Sequence, residues 1–219
     1  MMRIWPATRA GPLKLALLLC ALVVVAYFGH VQDYYYFYTY SPQEGDVIFQ
    51  SLPHNDLVDA IEGITHSPYS HCGVVLRNQS GVWVVVEAVG PVVETPLLGW
   101  IKRGRGGGFT VYRLDPKYDS LLPKFKSDLL SYLGRPYDFN YDMTNGNSVY
   151  CSDLIYLAFE QATGEKMGTL EKLRDLDWKP YEDFIKSEQG GGLPLDRVMI
   201  TPASLSRAPQ LKEVYHGGF

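Results

Sequence analysis

Hydrophobic and polar positions change period several times along this chain, and each change marks an element. Gly45-Asp46-Val47-Ile48-Phe49 predicts a strand entered by a turn, and Asn55 to Ile64 predicts a short helix with Leu57, Ile61 and Ile64 on one face. A β-meander is predicted next. His71 to Leu76, Val82 to Val89, Val92 to Thr95 and Phe109 to Leu114 are β-branched or aromatic runs, separated by Asn78-Gln79-Ser80-Gly81, by Gly90-Pro91 and by a glycine cluster at 104–108 expected to form a hairpin turn. Between Asp119 and Leu133 the period lengthens, with Leu122, Phe125, Leu129 and Leu133 at helical spacing, Asp119 as the expected cap and Gly134 as the stop. A second long helix is predicted from Ser152 to Thr163, ended by Gly164. Late strands are expected at Val198–Thr201 and Leu211–Tyr215. Strands grouped ahead of helices give an α+β domain, an antiparallel sheet packed on a few helices.

The first segment has a different pattern. Arg3, Arg9 and Lys14 lead into an apolar run at residues 15–28, and no acidic residue precedes Asp33. That order fits a secretory signal or a short signal anchor, and predicts export to the periplasm or cell envelope of a bacterium. Val24-Val25-Ala26 offers a cleavage site, whereas Tyr27 and Phe28 prolong the run as an anchor would. The expected organisation is a signal or anchor over 1–29, a tyrosine-rich tether over 30–44 and one catalytic domain over 45–219. The tether's aromatics suit either a membrane interface or packing on the domain. At 219 residues and 46% hydrophobic the chain can bury one full core, and its net charge of −4 gives no footprint for nucleic acid.

Three cysteines are too few for a disulfide framework. Cys20 lies in the apolar run, Cys72 inside a predicted strand, where free cysteine is commonly a small buried hydrophobe, and Cys151 at a predicted helix start. A thiol needs a local cause of acidity to act near neutral pH. Cys151 has two candidates, the positive end of the helix and a histidine partner. Its own N–H would supply half an oxyanion hole, and Ser148, Ser152 and Asp153 offer capping groups nearby. His71 opens a strand, and Glu87 is an acid inside the neighbouring apolar run, where an unpaired charge would be expensive and a histidine N–H would satisfy it. His54-Asn55-Asp56 with His66 raises the question of a metal, but no metal-binding spacing is present and these residues read as a helix cap and loop. No cofactor motif is found.

With those residues in view, the chain resembles the NlpC-type papain-like cysteine peptidases, in particular their circularly permuted, YiiX-like branch. The usual order is cysteine helix, Gly-Asp-apolar strand, His-x-Gly strand and a polar third residue. Here Gly45-Asp46-Val47-Ile48-Phe49, His71-Cys72-Gly73 and Glu87-Ala88 keep their order, while Leu133-Gly134-Arg135-Pro136-Tyr137 and Cys151-Ser152 follow them. The resemblance spans Gly45 to Tyr215 and takes in Thr201-Pro202-Ala203-Ser204-Leu205. It implies Cys151 as nucleophile, His71 as base, Glu87 as the orienting residue and Tyr137 as an aid to the oxyanion. Tyr150-Cys151-Ser152-Asp153 departs from the usual Asp-Cys-Ser-Gly, which weakens an assignment to murein peptides.

The expected function is an exported cysteine hydrolase acting on an amide bond, with a cell-wall peptide as the foremost substrate. The alternative keeps Cys151, His71 and Glu87 but makes the enzyme a lipid acyl hydrolase, thioesterase or acyltransferase, with Val58, Ile61 and Leu97-Leu98 lining a groove. A binding module without turnover is the reading from another class, and the complete set of three residues argues against it.

Overall fold

A computed structural model describes residues 11–144 and 146–218. Its elements follow in chain order as α1 (Gly11–Thr39), β1 (Asp46–Gln50), α2 (Asp56–Thr65), β2 (His71–Arg77), β3 (Trp83–Ala88), β4 (Val92–Pro96), α3 (Leu97–Arg103), β5 (Phe109–Leu114), α4 (Leu122–Leu130), α5 (Cys151–Thr163), β6 (Glu171–Lys172), α6 (Glu182–Glu188), β7 (Val198–Met199), α7 (Pro202–Ser206) and β8 (Leu211–Gly217). The main sheet has the order β4-β3-β2-β1-β5-β8, with every neighbouring pair antiparallel. β6 and β7 form a separate two-stranded ribbon.

Alternation along the strands divides the core into two layers. Val47, Phe49, Cys72, Val74 and Leu76 face α4 and α5, packing against Phe125, Leu129, Leu154, Ile155 and Phe159. Ile48, Val75, Val85 and Val111 face the opposite way, onto Leu97, Trp100 and Ile101 of α3 and onto Tyr40. This second layer explains how the tyrosine-rich stretch is used. Tyr36, Phe37 and Tyr40 turn toward the sheet, where Tyr40 meets the rings of Phe109 at 5.7 Å and Tyr215 at 5.4 Å, while Tyr34, Tyr35 and Tyr38 stay exposed.

Several expectations are corrected. The stretch 30–39 forms the end of α1, with no proline to interrupt it, and its inward rings take the second of the two uses expected of them, packing on the domain. Arg3 and Arg9 lie outside the described residues, and among those described no helix is long and apolar enough to cross a membrane. Glycines 104–108 do not make a hairpin, since β4 and β5 are not neighbours. They follow α3, an element the sequence pattern did not announce, and carry a 3₁₀ turn. The helix expected over 119–133 is split. Asp115, not Asp119, caps a 3₁₀ turn at Pro116–Leu121, and the α-helix begins at Leu122. Only Val198 and Met199 of one late strand pair, and Thr201 instead caps α7 through its hydroxyl, accepting from the Ser204 N–H at 3.0 Å.

Candidate active site

The site forms where the two layers meet at one end of β2. Gln50 of β1 pairs with His71, the first residue of β2, and Phe49 pairs with Cys72. Because successive side chains alternate, Cys72 points to the α5 layer and His71 to the α3 layer. Standing at the strand's end, His71 reaches both. Gly73, two residues on, has no room for a side chain. A Cβ there would lie 2.4 Å from a Val85 methyl and 3.0 Å from the Val86 carbonyl oxygen, so the close approach of β2 and β3 that aligns His71 with Glu87 requires glycine.

Cys151 is the first residue of α5. Tyr150 precedes it in an extended conformation (φ −104°, ψ 175°) without a side-chain cap, so the opening N–H groups of the helix have no partner supplied by that residue. The capping expected of Ser152 and Asp153 does not occur. Ser152 donates to the Ile200 carbonyl at 2.8 Å, and both Asp153 oxygens are buried without a partner. Tyr150 is fixed from above, accepting from the Ile200 N–H at 2.9 Å. Helix α5 ends at Gly164, which takes the left-handed conformation (φ 76°) and donates to the Glu160 carbonyl at 2.8 Å.

The expected residues converge. His71 Nε2 contacts Glu87 Oε2 at 2.5 Å, which leaves Nδ1 for the Cys151 thiol, with which His71 is also hydrogen-bonded. Glu87 is wholly buried and held by more groups than the sequence suggested. Trp100 Nε1 donates to Oε2 at 3.0 Å, Thr95 Oγ1 donates to Oε1 at 2.5 Å, and Arg103 pairs with Oε2. Burial opposes the charge on Glu87, but hydrogen bonding and attraction to His71, with Arg103 in support, outweigh it and push the pKa down to about 2. Burial likewise opposes a charged His71. Hydrogen bonds to Cys151 and Glu87, with their negative charge, win and push it up to about 9. The Cys151 thiol is held well below the ordinary thiol range, by a hydrogen bond from Cys72 first and then by His71, against the opposing effect of burial. Both directions favour a thiolate beside an imidazolium.

Cys72 has a larger part than sequence reasoning gave it. It is a buried hydrophobe, as expected, but its thiol also interacts with that of Cys151. Trp100 and Arg103 were missed because their element was missed, whereas Thr95 closes a strand that was expected but whose pattern does not reveal the contact with Glu87. The spacing Leu97, Trp100, Ile101 after Pro96 was the available signal. Tyr137 stands where a parallel bridge pairs it with Val149, anchored by Val149 N–H to Pro136 O and Asp138 N–H to Val149 O, each 3.1 Å. That bridge lays Tyr137 alongside Tyr150-Cys151. A pocket opens from Cys151, walled by Ile61 and Ile64 of α2, Leu173, Phe184 of α6, Met199 and Ile200, with Glu188, Gln189 and Arg197 also lining it. Of the residues expected to line a lipid groove, Ile61 does so. Val58 is core, and Leu97 belongs to the opposite layer.

The suspected metal residues are dispersed. His54 pairs with Asp59 at 2.6 Å, His66 with Asp177 at 3.3 Å, and Asn55 caps α2 by accepting from the Val58 N–H at 2.9 Å.

Residues 41–215 match the family model of the permuted papain-like amidase enzymes, YaeF/YiiX, C92 family. The uncharacterized protein YiiX of Escherichia coli strain K12 is 34% identical over 181 residues, spanning 81% of this chain and 88% of that protein. A crystal structure of yiiX from Escherichia coli O157:H7, described as a metalloprotein, superposes with a TM-score of 0.76 at 33% identity, covering 81% of this chain and 98% of that one.

Proposed function

The chain belongs to the family of permuted papain-like amidases, a family of cysteine hydrolases, and from that premise we propose that Cys151 is its nucleophile, His71 its acid and base, and Glu87 the group that orients His71. The observation that carries this reading is the unbroken contact from the Cys151 thiol through His71 to a fully buried Glu87. Cys151 Sγ attacks the carbonyl carbon of an amide, forming a C–S bond and an oxyanion that the Cys151 N–H and the Tyr137 hydroxyl receive. The His71 Nδ1–H proton passes to the leaving nitrogen as the C–N bond breaks, leaving a thioester. Water then adds to that carbonyl and gives its proton to His71. The C–S bond breaks, and the acid product leaves the thiolate–imidazolium pair restored.

The substrate follows from address and pocket. The cationic and apolar N-terminus, residues 1–29, supports export, with residues 15–28 as signal or anchor, and favours an amide in a cell-envelope molecule, foremost a cell-wall peptide. One observation favours a second reading, in which the acyl group is a lipid chain carried as an ester, thioester or amide. The pocket beside Cys151 is walled mainly by Ile61, Ile64, Leu173, Phe184, Met199 and Ile200. Among the described residues no three His, Cys, Asp or Glu side chains converge to hold an ion.

Incubating the protein with labelled muropeptides and, separately, with labelled lipids, followed by intact-mass measurement, distinguishes the two by the acyl group trapped on Cys151. Cys151→Ala abolishes turnover and trapping. Full activity in that variant would refute the assignment.

A further inference from the structure

Residues 138–142 form a tight turn around one buried carboxylate. Asp138 accepts from the Asn140 and Asp142 N–H groups, each at 2.9 Å, and its carbonyl accepts from the Tyr141 N–H at 3.3 Å. This turn puts Tyr141 in the left-handed region, with φ 53°. A residue bearing a Cβ is disfavoured there, and glycine or asparagine would fit more easily.

The tyrosine carries a second penalty. Its ring packs edge-on against Tyr137, with centroids 6.3 Å apart, and against Tyr150 at 5.2 Å, and its hydroxyl is driven into the wall of the pocket that holds Cys151. There the hydroxyl is fully buried without a partner. The Tyr137 hydroxyl lies close enough to interact with it as a hydrogen-bonding neighbour, but the two do not meet in the geometry of a formed bond. An unpartnered buried hydroxyl is unfavourable, because it has given up water without gaining a partner. Phenylalanine would fill the same space without that penalty. Two unfavourable features at one side chain, both in the pocket of the nucleophile, have no return within the folded chain, and strain of this kind collects at functional sites.

We propose that Tyr141 is a second hydroxyl donor to the substrate carbonyl oxygen at the carbon attacked by Cys151, working beside Tyr137. The proposal rests on the reading of Cys151 as nucleophile. The missing partner of the Tyr141 hydroxyl is then the oxyanion itself, and burial, which lifts the phenol above its ordinary range, keeps it protonated as a donor.

Tyr141→Phe tests this, because it keeps the ring and removes one oxygen. A single oxyanion donor is worth about 10²–10³ in kcat, and with Tyr137 retained the expected loss is ~10- to 100-fold. Using p-nitrophenyl hexanoate as a chromogenic probe, kcat falls while KM changes less than about threefold. The Tm is unchanged or higher, and the pH dependence of Cys151 alkylation by iodoacetamide does not move. A variant with unaltered kcat overturns the proposal. So does one whose Tm falls, since the hydroxyl would then have a partner in the fold. Cys151→Ala, assayed alongside, separates the two claims. Activity surviving there removes the nucleophile assignment, whereas activity lost there but kept in Tyr141→Phe removes only the role of Tyr141.

Discussion

Replacing Asp153 with asparagine should make the protein increasingly more stable than the wild type as pH rises. Asp153 lies in the first turn of α5, is 1% exposed, and has neither oxygen hydrogen-bonded. Burial, then the charges of Asp138, Cys151 and Asp142, push its pKa up from 3.8 to about 7. A carboxyl raised on folding holds a proton that the unfolded chain has released. Between about pH 4 and 7 the folded state therefore binds more protons, and stability falls with rising pH at ~1.4 kcal/mol per unit. The rise from 3.8 to about 7 corresponds to ~4 kcal/mol, fully lost above pH 7, and the positive end of α5 offsets about 0.3–1 kcal/mol of it, leaving about 3. Asparagine has no such titration. Its own amide is no better satisfied than the acid, so the informative quantity is the pH dependence of the difference rather than its absolute size. Urea unfolding followed by tryptophan fluorescence at pH 5, 6, 7 and 8 and constant ionic strength gives that difference. It should grow by about 2–3 kcal/mol in favour of Asp153→Asn between pH 5 and 7, then level off. A difference constant across the series would refute the reasoning, since Asp153 would then be ionised in the fold at every pH measured.

Two further outcomes are expected. Alkylation of Cys151 by iodoacetamide should proceed well below the ordinary thiol range in the wild type and shift upward in pH in His71→Ala, while hydrolysis should decline as pH rises through about 9, where His71 loses the proton the leaving group needs. Glu87→Gln should lower kcat about 10²- to 10⁴-fold and lower the Tm, because it removes the charge facing His71 and leaves the Arg103 guanidinium without its carboxylate; stopped-assay kinetics and a melting curve check both.

Much of the site was legible because its parts are local signals. His71 at a strand start, Gly73 two places on, Glu87 in an apolar run and Cys151 ahead of a helical period are each visible within a few residues, and the rotated order of these segments carried the resemblance. What stayed hidden depends on distance in sequence. Trp100 and Arg103 bind Glu87 from a short helix flanked by Pro96 and glycines, whose seven residues make barely two turns of period, and Thr95 binds it from the end of β4, where a strand pattern does not announce the partner. Cys72 read as core because nothing in a strand pattern announces which side chain from another layer it will touch. Tyr141 is disguised by its backbone, since the Asn-Tyr-Asp sequence does not reveal that the turn around Asp138 places its middle residue at positive φ. The continuous α1 was obscured for a different reason. Its run of tyrosines has no clean helical face until the sheet selects Tyr36, Phe37 and Tyr40.

The separation of His71 and Cys151 has a consequence for the life of the chain before it is finished. His71 and Glu87 belong to a meander that can close by itself, whereas Cys151 reaches them only when α5 docks on the sheet. Until that moment the sulfur is an ordinary thiol, largely protonated and slow to react. Reactivity is thus a property of the completed tertiary assembly and of no segment alone. A labelling reagent that reads the thiolate reports helix docking residue-specifically, and a nascent or partly opened chain is protected from its own chemistry.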